Sequence, residues 1–254
     1  MIYDLQKPTV WKRLSAYLFD IVLIITLAIG FAWTISGITR FDAHTEKLQK
    51  LEAKYYEEYD IPKLEKVEDI QKLSEEELER YNKANEAFQK DPEVLKTHSF
   101  VYNSILLMTS LGVFLAVFIW EFIIPLFFKN GQTLGKKIFG IAVMRTNGVK
   151  ISTLQLFVRS ILGKYTFEIM LPVFAVILVI FANMALFGVV VLAAIFIAQV
   201  VVLTVNRKTR SALHDLLSDT VTVDLASQLI FDSEEELIKY KEEQHAIMAE
   251  RSPY

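Results

Sequence analysis

Apolar and charged residues come in long separate blocks along this chain. From Leu14 to about Ile38 the sequence is apolar apart from Asp20 and a few small polar residues, and Phe100 to Phe128 and 166–205 are two further apolar blocks. A helix needs about 20 apolar residues to cross a hydrocarbon core of about 30 Å. The first two blocks therefore predict one span each. The third would make a straight helix about 60 Å long, so it predicts two spans with a reversal between Asn183 and Gly188. The first block is longer than the core of a signal peptide, about 7–15 residues, and carries an acid inside it, so it reads as a span.

The polar blocks have different characters. Residues 39–98 are dense in Glu and Lys, with Tyr and Leu at helical intervals. Thr45 to Asp60 reads as one helix, stopped by Ile61-Pro62. Ser74 followed by Glu77 is a capping-box signature for a second helix to about Lys90, ended by Asp91-Pro92. A charged helical hairpin is expected, with a plain solvated spacer as the alternative. Between 129 and 165 the charges are all basic: Lys129, Lys136, Lys137, Arg145, Lys150, Arg159 and Lys164. Ile141–Met144 reads as a short strand before the turn Thr146-Asn147-Gly148. Residues 151–165 have helical apolar spacing and predict an amphipathic helix at the membrane surface. After the last apolar block, Asp232-Ser233 with Glu236 caps a final helix through Ala249.

Lys and Arg near span ends set orientation. Basic segments lie at 7–13, 129–164 and 207–210. Four spans place all three on one side, the cytoplasm, with both termini there and 39–98 outside. The expected architecture is an all-α membrane protein of the cell (plasma) membrane. Its parts are 1–38 (N-terminus and first span), 39–98 (extracytoplasmic helical insert), 99–128 (second span), 129–165 (basic loop with the amphipathic helix), 166–205 (third and fourth spans) and 206–254 (C-terminal segment and helix).

Composition sharpens this only a little. The chain is 53% hydrophobic, with a net charge of −3, Phe 18, Gly 9 and Pro 6. That favours long helices over a β-barrel of short alternating segments. Cys is absent, which excludes disulfides and thiolate metal sites. The Gly131-Gln-Thr133-Leu-Gly135-Lys136-Lys137 run resembles a phosphate-binding loop only superficially: three residues separate the glycines, and Lys137 stands where Ser or Thr belongs. Anionic lipid headgroups suit Lys136 and Lys137 better, beside the simpler role of topology charge. His214 beside Asp215 lacks a second His at ligand spacing. No catalytic, metal, cofactor or nucleic-acid motif stands out, and an enzyme is not expected.

An ionised side chain at mid-bilayer costs about 2.5–3.5 kcal/mol even on lenient scales. Asp20, Glu121 and Glu168 lie inside apolar blocks, at similar depth near the basic side. Arg13 and Asp20 share a helix face but lie about 10.5 Å apart along it, so Asp20 is expected to pair with Arg159 or Arg210. Two roles are open for these charges: an ion-pair girdle that locks helices together, or a proton- or cation-handling site.

Three motifs carry a family resemblance. Arg13-Leu-Ser-Ala-Tyr-Leu-Phe-Asp20 resembles the opening of the RDD family of bacterial membrane proteins. Gly131 to Ile141 is similar to its central loop, Arg159 to the Arg that follows, and Arg210 to Val223 to its closing motif. The resemblance covers 8–40 and 100–223. It implies a membrane location, the defining charges Arg13, Asp20 and Asp215, and a loosely defined function for which cation/proton exchange has been proposed. It also suggests that Asp215 meets Arg13 beneath the bundle. The functional expectation is a small transporter or cation/proton-coupled permease, acting as a homo-oligomer. The alternative is a non-transporting scaffold that binds a protein partner through 39–98 or the C-terminal tail.

Overall fold

The computed structural model describes residues 5–62, 70, 73–128, 130–181, 184–205 and 211–251. Lys129, Asn183, Arg207, Lys208 and Arg210, all singled out above, lie outside the described residues. The structure is mainly helical. Four helical stretches are long and apolar enough to cross a membrane: Val10–Thr39, Pro92–Phe127, Thr153–Val179 and Ala185–Val202. The expected four spans are found.

The chain forms two compact units, one of residues 1–28 with 114–254 and one of residues 29–113. In the second unit, helix α1 (Val10–Thr39) ends at Arg40, whose left-handed backbone (φ 53°) separates it from α2 (Phe41–Glu58). α2 thus begins four residues before the expected Thr45. Helix α3 (Glu75–Lys90) starts with the expected capping box: the Ser74 hydroxyl accepts from Glu77 N–H while Glu77 accepts from Ser74 N–H. Asp91 caps its end, and α4 begins at Pro92 and runs to Phe127. Helices α2 and α3 pack antiparallel. Tyr55 meets Phe88 edge-on, Tyr56 lies against Tyr81, and Arg80 pairs with Asp60 at 2.8 Å. The Tyr55 hydroxyl donates to Asp91 at 2.8 Å.

In the first unit, the end of α4 contains a π-helical turn, Phe118–Ile123. The short helix α5 (Leu134–Ile138) follows, then strand β1 (Ile141–Arg145). Helix α6 is continuous through three stretches: Thr153–Phe157, the π-helical Val158–Met170, and Leu171–Phe181. Residues 153–165 are therefore the beginning of the third candidate span, joined to it without a break, and the boundary expected at 165 falls inside the helix. Helix α7 (Ala185–Val205) packs back on α6. Helix α8 (Leu213–Leu217), strand β2 (Thr220–Asp224) and helix α9 (Glu234–Arg251) complete the chain.

Strand β1 has a partner the sequence did not reveal. It pairs antiparallel with β2, Ile141 opposite Asp224 and Arg145 opposite Thr220. Ala142, Met144, Val221 and Val223 form a buried core, with Leu5 and Ile230 packed against it. The N-terminal segment zips onto β2: Asp224 N–H donates to Gln6 O, and Lys12 pairs with Asp224 at 2.6 Å. Phe231 and Leu237 pack with Val149. Three segments separated in sequence by the spans thus build one cap. They share one side of the membrane, which requires an even number of crossings between each pair.

On α1, Trp11 and Trp33 are 77% and 79% exposed. Their separation along the helix is about 33 Å, close to the hydrocarbon thickness, and Trp favours both interfaces. Asp20 then lies well inside the apolar layer.

Candidate functional site

Asp20 is buried on α1 and reads the loop before α5. Its Oδ1 accepts from Trp120 Nε1 and from Gly135 N–H, both at 2.9 Å, and its Oδ2 accepts from Thr133 Oγ1 at 2.5 Å. Thr133 serves twice, since as N-cap its hydroxyl also accepts from Lys136 N–H. The approach is close enough to require glycine: a Cβ on Gly135 would lie 2.5 Å from Ala16 O and 2.8 Å from Asp20 Oδ1. Gly131 turns the chain into this loop with φ 59°.

Glu121, in the π turn of α4, is buried between two ammonium groups. Lys164 on α6 reaches Oε1 at 2.5 Å and Lys136 on α5 reaches Oε2 at 3.4 Å. The Ser160 hydroxyl donates to the Glu121 carbonyl at 2.6 Å. Burial lowers the Lys136 ammonium to about 8, with the Glu121 carboxylate opposing that shift.

Arg159 is 3% exposed and pairs with Asp215, also buried. Its guanidinium donates further to Thr220 Oγ1 at 2.7 Å and Thr222 Oγ1 at 3.4 Å. Asp215 Oδ2 accepts from Ala212 N–H, closing the first turn of α8. Burial would raise the Asp215 carboxyl, but Arg159 outweighs it and brings the group down to about 2. Next to it, His214 Nδ1 lies 2.7 Å from Glu168 Oε1. Burial lowers His214 below its ordinary value, aided by Arg159 and resisted by Asp215 and Glu168.

The expected pairings differ from those found. Asp20 does not meet Arg159, whose partner is Asp215. Asp215 does not meet Arg13, whose Nη2 donates to Thr222 O at 2.9 Å, tying α1 to β2. Arg210 lies outside the described residues. Six residues expected at the site, Arg13, Asp20, Glu121, Arg159, Glu168 and Asp215, fall in one contiguous polar region of the first unit. The loop residues Thr133, Gly135 and Lys136 belong to it directly. Trp120, Ser160, Lys164, His214, Thr220 and Thr222 take part as well. Lys164 and His214 were visible as charged or titratable residues, whereas Trp120 and the threonines gave no signal, because their role is to donate to a neighbour fixed only by the fold.

Both π-helical stretches belong to this region. π-helix is rare, usually one turn long, and frequent at functional sites.

Such a fold defines a polytopic helical membrane protein with a network of buried charges tied to a cap. The chain belongs to the RDD family, whose family model matches residues 7–219. Those bounds enclose the insert, the first two motifs and the closing motif as far as Asp219. Neither a curated protein nor a solved structure matches the chain.

Proposed function

We propose that this RDD-family protein is a membrane scaffold, and that its buried charges form a lock holding the span bundle to the cap. The supporting observation is the saturation of the carboxylates: both oxygens of Asp20, of Glu121 and of Asp215 accept from a named donor. Satisfied, paired groups of this kind specify a fold. The cap side is the cytoplasm of the cell membrane, following the basic residues, and the helical pair α2–α3 faces outward as a surface for a protein partner. Lys137 is exposed beside the span ends and suits anionic lipid headgroups.

A second reading, cation- or proton-coupled transport by a homo-oligomer, draws on one observation. Among the described residues, Asp20 is met by uncharged donors and by no cationic side chain within ion-pair distance, and an acid within an apolar span is a candidate for handling a proton or cation. Flux of protons and monovalent cations into proteoliposomes separates the two readings. The scaffold predicts that wild type and Asp20→Asn are equally silent when both are folded and oriented. Wild-type flux abolished by Asp20→Asn overturns it.

A further inference from the structure

We propose that residues 158–170 are a two-state helix, π in the form described here and α in a second form, whose register is chosen by the side chains that grip it. The π form is carried by backbone and side chain together. Leu171 N–H donates to Thr166 O, five residues back, and Thr166 Oγ1 donates to Ile161 O at 3.0 Å. In the facing π turn of α4, Ile124 N–H donates to Ile119 O in the same way.

The contacts with α8 demand this register. Arg159 holds Asp215, Glu168 holds the adjacent His214, and Gly163 between them lets α8 approach, since a Cβ there would lie 2.5 Å from His214 Cβ. A π-helix turns about 82° per residue and an α-helix about 100°. Glu168 therefore stands about 16° around the axis from Arg159 in the π form and about 180° in the α form. Lys164 moves from about 50° to about 140°. With Arg159 kept on Asp215, an α-helical segment carries Glu168 to the opposite side and swings Lys164 away from Glu121. Both pairs cannot be kept in the α register.

An extended π stretch is intrinsically the poorer helix, so the contacts that hold it are its source of stability. Three grips are visible: Glu121 on Lys164, Glu121 O on the Ser160 hydroxyl, and α8 on Arg159 and Glu168. Releasing the first favours rewinding, which breaks the His214–Glu168 contact and leaves α8 held to this helix by the Arg159–Asp215 pair, directly before β2 of the cap. A change at a carboxylate in the bilayer is thereby read out at the cap through a named two-state element. No ion has to cross the membrane, so the switch stands whichever way the flux measurement falls.

The chain has no cysteine, so single cysteines can be placed along 157–171, sparing Arg159, Ser160, Gly163, Lys164, Thr166 and Glu168, and spin-labelled in liposomes. The periodicity of oxygen accessibility reads the helix type. Wild type is expected to repeat every 4.4 residues or so, and Glu121→Gln to shift toward about 3.6. Lys164→Gln, which removes the same grip from the other side, is expected to shift likewise. A repeat near 3.6 in wild type overturns the proposal, as does an unchanged repeat in both variants. If neither variant assembles while wild type shows the longer repeat, the grip is needed for folding, and a reversible switch is likewise overturned.

Discussion

Removing the Arg159 guanidinium leaves Asp215 buried without its ion-pair partner. Breaking a buried pair from one side costs about 3–5 kcal/mol, so Arg159→Met is expected to lower the melting temperature in detergent sharply, and Arg159→Met with Asp215→Leu to recover much of the loss. Arg159→Lys restores little, because the ammonium is a compact point charge on a shorter stem and lacks the planar fork that spreads donors toward Asp215, Thr220 and Thr222. The same corner responds to acid. The docked value of His214 lies below its ordinary value of about 6.5. Its contribution is complete above that pH and declines as pH falls below it. The docked value of Asp215, about 2, lies below its ordinary value of 3.8, so its contribution holds above about 4 and is lost as pH falls through about 2. Amide protection across 211–218, corrected for the intrinsic exchange rate at each pH, should fall as pH drops from 7.5 to 5, and His214→Gln should remove that step; an unchanged loss of protection in the variant counts against it. At this scale the sequence marked the charged residues well and their partners poorly. Charge is visible in a sequence, but the Gly135 N–H and Trp120 Nε1 that meet Asp20 have no charge to mark them.

Elements were legible where local chemistry decides them. The capping box at Ser74 and the length of the apolar blocks each fix an element without help from distant residues. Strand β2 was not legible, though its alternation of Thr220, Val221, Thr222 and Val223 is strand-like, because its partner β1 lies across two spans. The π stretch of α6 was invisible for another reason: reading the segment with a 3.6-residue period presupposes the α-helix. Helix α5 supplies the test at this scale. Gly135→Ala places a methyl carbon against Ala16 O and the Asp20 carboxylate, where overpacking costs about 1–3 kcal/mol. The expected result is a lower melting temperature with the loop pushed off α1, seen as faster proteolysis within 129–140. Gly140→Ala is the control: a Cβ there meets nothing within 4 Å, and its cost is confined to backbone strain at φ 63°.

For the whole molecule, the cap sets a parity that reporter fusions can check. Fusions at residues 140 and 240 are expected on the same side and a fusion at residue 60 on the other; 60 and 140 reporting together would overturn the four-span topology. Deleting 42–95 is expected to leave the first unit folded, with Arg159 and Asp215 still paired, while abolishing capture of any partner that the α2–α3 pair recruits. The cap also has a bearing on how the protein is made. Asp215 and strand β2 follow all four spans in the chain, so these spans are synthesised before Arg159 can be neutralised or β1 can find its mate. Until then the nascent chain holds an orphan cation at the bilayer, and a product cut short near residue 210 keeps it indefinitely. Such fragments would be natural prey for membrane proteases, so adding residues 211–224 decides whether the rest survives.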